Sequence, residues 1–262
     1  MYYGFRSGHL PFNSDIRYRG KSDAGTIGEA VMELDDIVGR VMAALKEANI
    51  DEDTLIVFMS DNGAINSHTA ETAVQPGSQG DYYWQRYQHY QNSVDVDGVN
   101  YKLRGGKASP YEGGLRVPFL WRYPRLFSTN KPKVLKEPVS FIDLYRTLAN
   151  IIGSTPLPCN EAPDSRSMLN FMKGKVDRII PDAIIHHCIK CVDHVVIRER
   201  DMKLIGGNNE LYNITADPQE LNNLYDLNTG YVEHLTTRMR KIVDRVNDRE
   251  ERSNVGAKPW IC

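Results

Sequence analysis

The chain has 262 residues, of which 41% are hydrophobic and 25% charged, which suits one large domain or a domain with a smaller companion. A formal net charge of −2 gives no electrostatic reason for a nucleic-acid or polyanion partner. No apolar run approaches the roughly 20 residues that span a bilayer, and MYYGFRSGHLPFNSD reads as no secretory signal, since no basic region leads into an apolar one.

The first predicted element is a helix over 26–49. Ile27, Ala30, Val31, Leu34, Ile37, Val38, Val41, Met42 and Leu45 recur at three- and four-residue steps, with Glu29, Glu33, Asp36, Arg40 and Lys46 on the other side. The turn Asp51-Glu52-Asp53 leads into TLIVFMSDNGA, Thr54–Ala64. Its run over 54–59 is apolar on both faces, which predicts a buried parallel strand. Region 65–103 is polar, tyrosine-rich and without period, the mark of a long functional or disordered loop. Val117–Trp121 is a further strand, with Pro118 at its start or on an edge. SFIDLYRTLANII, 140–152, reads as a helix ended by Gly153 and Pro156. Beyond it, 184–185, 195–197 and 202–205 suggest short strands, and 230–248 an amphipathic helix. The change of composition predicts two domains, 1–155 and 156–262.

Asp61-Asn62-Gly63 can be a hairpin turn, for which Asn-Gly is a strong signal. A hairpin needs an alternating strand next, and Ala64–Thr69 does not alternate. The other reading places Asp61 and Asn62 at the carboxyl end of a strand, where open α/β sheets bind ligands. Their hard oxygens suit Ca²⁺ or Mg²⁺.

LRGGKASPYEGGLRVP, Leu103–Pro118, fails as a phosphate-binding loop: Tyr101 stands where the motif needs its first Gly, and Ala108 where Lys107 should be followed by Ser or Thr. Asp95-Val96-Asp97-Gly98 fails as a calcium-binding EF-hand loop, because its twelfth position would be Arg104. Two glycine pairs remain, which let backbone approach closely. Lys107 beside them is either a point charge for a tetrahedral anion or a solvated loop cation. His186-His187-Cys188-x-x-Cys191 has ligand types that suit zinc, but apolar runs on both sides place these residues at strand ends. The cysteines, 159, 188, 191 and 262, permit disulfides without requiring them.

Taken in order, His9, GTIGEAVMELDDIVGRVMAAL, TLIVFMSDNGA, RGGKASPYEGGLRVPFLWRYP and LYNITADPQELNNL resemble the sulfatase family of the alkaline-phosphatase-like superfamily. HHCIKCVDHVVIR and KPWIC are most similar to its steryl-sulfatase and arylsulfatase A branch. The resemblance implies an α/β fold, a partial and mostly parallel sheet flanked by helices, with a small C-terminal α+β subdomain. It implies hydrolysis of aryl- or steryl-type sulfate monoesters, a small-molecule sulfate ester as substrate, and a lysosomal, ER-luminal or secreted location. By the same resemblance, Asp61 and Asn62 match ligands of an active-site Ca²⁺. Lys107 matches the lysine that binds the sulfate group, and His9 a histidine on the ester oxygen that can act as general acid. Arg116 reads as an internal ion-pair partner. His68, Tyr82, Tyr83, Trp84, Tyr87 and Tyr90 lie between the metal tip and Lys107. They are candidates for a substrate rim, with loop packing the alternative.

The family's nucleophile is a formylglycine made from Cys in Cys-x-Pro-x-Arg, which this sequence does not contain. The family's N-terminal aspartate pair has no counterpart either. The chain therefore reads as the C-terminal part of a sulfatase, with nucleophile and remaining ligands upstream of Met1, and as inactive and poorly soluble when isolated. The alternatives are a superfamily phosphohydrolase with a Ser or Thr nucleophile and two zinc ions, or a catalytically dead sulfatase-like binding or structural protein. Asp61-Asn62 with Lys107 favours a single calcium and a sulfate.

Overall fold

A computed structural model describes residues 1–6, 9, 14–64, 103–127, 132–154, 161–179, 183–187 and 195–254, apart from the side chains of His187 and 246–254. It divides into two compact units, Met1–Lys131 and Pro132–Cys262.

In the first unit, helix α1 is Gly25–Glu47, as its apolar period predicts. Lys46 in the last turn opposes the dipole's negative end. Asn49 follows with φ +56°, the left-handed conformation at which helices commonly stop. The buried Glu29 ties the preceding loop to the helix, accepting from the Ser14 hydroxyl (3.1 Å) and the Gly20 amide (2.6 Å). In that loop the Arg17 side chain and amide hold the Asp15 carboxyl below its usual range.

Strand β1, Ile56–Met59, pairs with β2, Phe119–Arg122. The pairing is antiparallel, with Phe58 opposite Leu120 and Met59 opposite Phe119. This corrects the expected parallel, buried strand. An apolar run states how much a strand can bury but not which way its neighbour runs, and β1 is only half-buried, with Met59 exposed. Pro118 stands just before β2, and its carbonyl accepts from the Ser60 amide (3.3 Å). A one-turn helix α2, Glu112–Leu115, comes before it.

The second unit opens with α3, Asp143–Ile151. The Asp143 carboxylate is wholly buried; it caps the Ser140 amide (3.2 Å) and takes the Arg166 amide (2.9 Å) and guanidinium (2.6 Å). The Thr147 hydroxyl accepts from the Met168 amide (2.9 Å) just ahead of α4, Leu169–Met172. These bonds tie α3 to residues 165–172, so the division falls at 131/132, ahead of the change of composition near 155.

Four strands follow: β3 Ala183–His187, β4 Val195–Glu199, β5 Met202–Ile205 and β6 Glu210–Asn213. They form an antiparallel meander in the order β3-β4-β5-β6. The sequence reading had no strand at 210–213. Asn209, at φ +53°, turns the chain back so that Leu211 faces Leu204. Helix α5, Thr229–Asn254, lays Leu235 onto Ile197, Met202, Leu204 and Leu211, and this cluster is the unit's core. Lys203 and Glu220 form an ion pair of 2.8 Å with both side chains almost fully buried. His186, paired with Val196, lies at a strand end as the sequence suggested; the four cysteines lie outside the described residues.

Candidate active site

The site lies within the first unit, at the carboxyl end of β1. Asp61 is exposed there, and Asn62 is half-buried. The Ser60 hydroxyl donates to the Asn62 main-chain carbonyl (2.8 Å). The Gly63 amide donates to the Gly114 carbonyl (3.0 Å), and the Lys107 amide to the Ala64 carbonyl (2.8 Å). Two backbone bonds thus fasten the metal-tip candidate to the segment that carries the cation.

The glycine pairs make this approach possible. A Cβ on Gly63 would stand 1.8 Å from the Gly113 carbonyl oxygen. One on Gly113 would stand 2.3 Å from the Gly105 oxygen, and one on Gly114 2.5 Å from the Gly106 oxygen. Real Cβ atoms do not come so close, so three backbone segments meet only because side chains are missing.

Lys107 sits on a turn between two left-handed residues, Gly105 (φ +69°) and Ala108 (φ +67°). The Ser109 hydroxyl accepts from the Gly106 amide (3.1 Å) and the Ser109 amide donates to the Gly106 carbonyl (3.0 Å), closing the turn. The Arg104 guanidinium lies 3.8 Å from the centre of the Tyr111 ring, a cation–π contact that braces the turn's entry. The left-handed Ala108 is a strained position of the sort found where a side chain must be aimed.

What the turn aims is the Lys107 ammonium. Its Nζ stands 3.2 Å from Nε2 of His9, 98 positions away in sequence. A lysine ammonium only donates, so Nε2 accepts and the imidazole's proton sits on Nδ1 in this arrangement. Both side chains are reached by solvent. An anion entering there meets a fixed positive charge and an imidazole side by side.

Asp61, Asn62, Lys107 and His9 all belong to this unit; Asp61-Asn62 is joined to Lys107 through backbone, and Lys107 to His9 through side chains. Arg116, expected as an internal ion-pair partner, is exposed. It follows the end of α2 in extended backbone, and its amide donates to the Glu112 carbonyl. His68, Tyr82, Tyr83, Trp84, Tyr87 and Tyr90 lie outside the described residues. Ser109 was missed by sequence reasoning; a hydroxyl three residues after a Gly in a turn is its only signal.

The fit of a calcium ion can be judged from the donors. The Asp61 carboxylate and the Asn62 amide oxygen are hard oxygens of the right kind. They form an incomplete set: among the described residues no group of three or more His, Cys, Asp or Glu side chains is placed to hold a metal. Nor, among those residues, is any helix long and apolar enough to cross a membrane.

Several solved structures superpose on this chain. One, described with the metabolism of multiple glycosaminoglycans by Bacteroides thetaiotaomicron, superposes with TM-score 0.69 at 28% identity, covering 89% of this chain and 48% of that one. A second, of Ps i-CgsB in complex with k-i-k-neocarrahexaose, gives TM-score 0.65 at 26% identity over 89% of this chain and 47% of its own. The family model described as Sulfatase matches residues 1–154, and the chain belongs to that family. Among curated relatives, an N-acetylgalactosamine-6-O-sulfatase of Bacteroides thetaiotaomicron is 30% identical, covering 94% of this chain and 47% of its own length. Human steryl-sulfatase is 32% identical over 69% of this chain and 27% of its own, and human arylsulfatase A 34% over 60% and 25%. The chain thus spans at most about half the length of these relatives.

Proposed function

We propose that this chain supplies the sulfate-binding and leaving-group side of a sulfatase active site that hydrolyses sulfate monoesters. The observation that carries the reading is the pairing of His9 Nε2 with Lys107 Nζ at 3.2 Å, beside a strand tip that offers a carboxylate and an amide oxygen.

Nitrogens that close can both reach one ester. Lys107 holds a sulfate oxygen by charge. Once an ester lies between the two nitrogens, Nε2 no longer accepts from Lys107, and His9, carrying a proton there, gives it to the departing alcohol oxygen as the S–O bond breaks. Asp61 and Asn62 would hold calcium, which when bound neutralises charge on the transferring group. The nucleophile is a formylglycine hydrate, and since the sequence has no Cys-x-Pro-x-Arg, the isolated chain is inactive.

Substrates are aryl- or steryl-type sulfates or sulfated sugars, the range suggested by the names of the relatives. The segment 65–102 leaves the site at Ala64 and returns at Leu103, four residues before Lys107. His68, Tyr82 and Trp84 fall in this segment and are the side chains that the family reading offers for substrate contact. A lysosomal, ER-luminal or secreted location follows from the same family reading.

Sulfate titration of the full 262-residue chain, followed by NMR, tests this. Sulfate should shift the amides of Gly106 and Lys107 and the His9 ring, where chloride at equal ionic strength does not. Lys107→Ala should abolish these shifts; their survival in that variant rejects the reading.

A further inference from the structure

Asn62-Gly63 is the one Asn-Gly pair in the sequence, and such a pair carries a chemical liability. The following peptide nitrogen can attack the asparagine side-chain carbonyl carbon, and a glycine, having no Cβ, does not obstruct it. The N–Cγ bond forms as the bond from Cγ to the side-chain nitrogen breaks. The attacking nitrogen's proton leaves with that nitrogen as ammonia. Water then opens the cyclic imide at either carbonyl. One opening gives aspartate; the other gives isoaspartate, in which the main chain runs through the side-chain carbonyl carbon. No oxidant, reductant or cofactor takes part.

The peptide unit between Asn62 and Gly63 is held at both of its polar atoms. Its carbonyl accepts from the Ser60 hydroxyl (2.8 Å), and its N–H donates to the Gly114 carbonyl (3.0 Å). Attack on Cγ requires this unit to turn about the Asn62 Cα–C bond, which breaks both hydrogen bonds together. Packing resists the turn as well: a Cβ on Gly63 would lie 1.8 Å from the Gly113 oxygen and 2.7 Å from the Gly114 Cα. The Asn62 side chain is half-buried and makes no hydrogen bond among the described residues. The restraint on the reaction therefore lies in the backbone.

We propose that Asn62 is a self-deamidation site, silent while the tip after β1 is fastened to Gly114 and reactive whenever the tip comes loose. The glycine that permits the close approach also makes Asn62 reactive, and the approach in turn suppresses the reaction. Isoaspartate lengthens the main chain by one carbon where the packing leaves no room, so a tip modified in that way does not refasten. Aspartate instead sets a second carboxylate beside Asp61. None of this depends on the sulfatase reading, because it concerns the backbone of the tip alone.

The test incubates the full 262-residue chain at mildly alkaline pH, folded and in guanidinium chloride. Mass spectrometry of the peptide carrying Asn62 reads the replacement of NH₂ by OH, and isoaspartyl methyltransferase reads the isoaspartate. Reaction from the loose state alone makes the rate that of the unfolded chain multiplied by the fraction of tips open. Deamidation should then be at least about tenfold slower in the folded chain than in denaturant. It should be slowed at least as much as exchange of the Gly63 amide proton, which needs only one of the two bonds to break. Ser60→Ala removes the bond to the Asn62 carbonyl without touching the glycine packing. It should speed deamidation about threefold to tenfold, the span of one net hydrogen bond, with exchange in α1 and β4 unchanged. Gly113→Ala, whose Cβ would stand 2.3 Å from the Gly105 oxygen, should speed it further by displacing α2. Deamidation as fast in the folded chain as in denaturant overturns the proposal. So does an unchanged rate in both variants, or an Asn62 that survives intact in denaturant.

Discussion

The carbonyl oxygen of Gly113 lies 1.8 Å from where a Cβ on Gly63 would stand. The tip after β1 and the one-turn helix α2 are therefore in backbone contact, and the Gly63 amide confirms the register by bonding Gly114. Gly63→Ala must push one of them aside. Overpacking of this kind costs about 1–3 kcal/mol, and the damage should stay local. Sulfate should no longer shift the Lys107 and His9 signals, with exchange in β4 and β5 unaffected. A normal sulfate response in the variant would show that the close approach is not needed to aim Lys107.

The roles of His9 and Lys107 separate by leaving group in a protein that carries the whole catalytic domain. Removing a fixed cation from a developing charge costs about 10²–10³ in kcat, so Lys107→Ala should slow all sulfate esters alike. A proton donor matters most when the leaving alcohol is poor. His9→Ala should then slow an alkyl sulfate at least tenfold more than 4-nitrophenyl sulfate, read as kcat/KM. Equal losses on the two esters would remove proton donation from His9. Lys107→Arg should restore little, because a planar fork does not put a single nitrogen at 3.2 Å from Nε2 of His9.

The second unit carries its own test of buried charge. Lys203 and Glu220 pair at 2.8 Å with about 1% and 0% of their side chains exposed. Glu220 also has φ +56°, a strained conformation for a non-glycine residue. Lys203→Met leaves a buried carboxylate without its partner, and such losses run to about 3–5 kcal/mol. Denaturant-dependent amide exchange in β4 and β5 should report it. Adding Glu220→Leu to Lys203→Met should recover most of the loss. Failure to recover would mean that Glu220 serves the loop through bonds other than the ion pair.

The regular elements were legible where period and length agreed. Helix α1 runs over 25–47 and α5 over 229–254, near where the spacing of apolar residues puts them. The direction of β1 was not legible, because four apolar residues carry no signature of their partner's sense. Strand β6 was hidden for another reason: Glu210–Asn213 holds two apolar residues in four, too few to show alternation. At the site, the glycine pairs announced a close approach, but not to what. Gly105 and Gly106 meet α2 only a few positions further on, but Gly63 meets it from a distant part of the sequence. The pairing of His9 with Lys107 spans 98. Short motifs name the groups that can do chemistry; only the fold brings them within bonding distance.

Calcium affinity gives a last and quantitative expectation. Asp61 has two carboxylate oxygens and Asn62 one amide oxygen to offer, against the roughly 6–8 that Ca²⁺ collects. Water must fill the remainder in the isolated chain, and few protein charges offset the ion's. Its affinity should then fall near the weak end of known sites, about 10⁻³ M or poorer. Calorimetry or a calcium titration of the Asp61 and Asn62 resonances would measure it. Asp61→Ala should erase even this binding, while a protein carrying the whole domain should bind at least a hundredfold more tightly and lose activity on chelation. Micromolar binding by the isolated 262 residues would mean that further donors lie within this chain, and the half-site reading would fall with it.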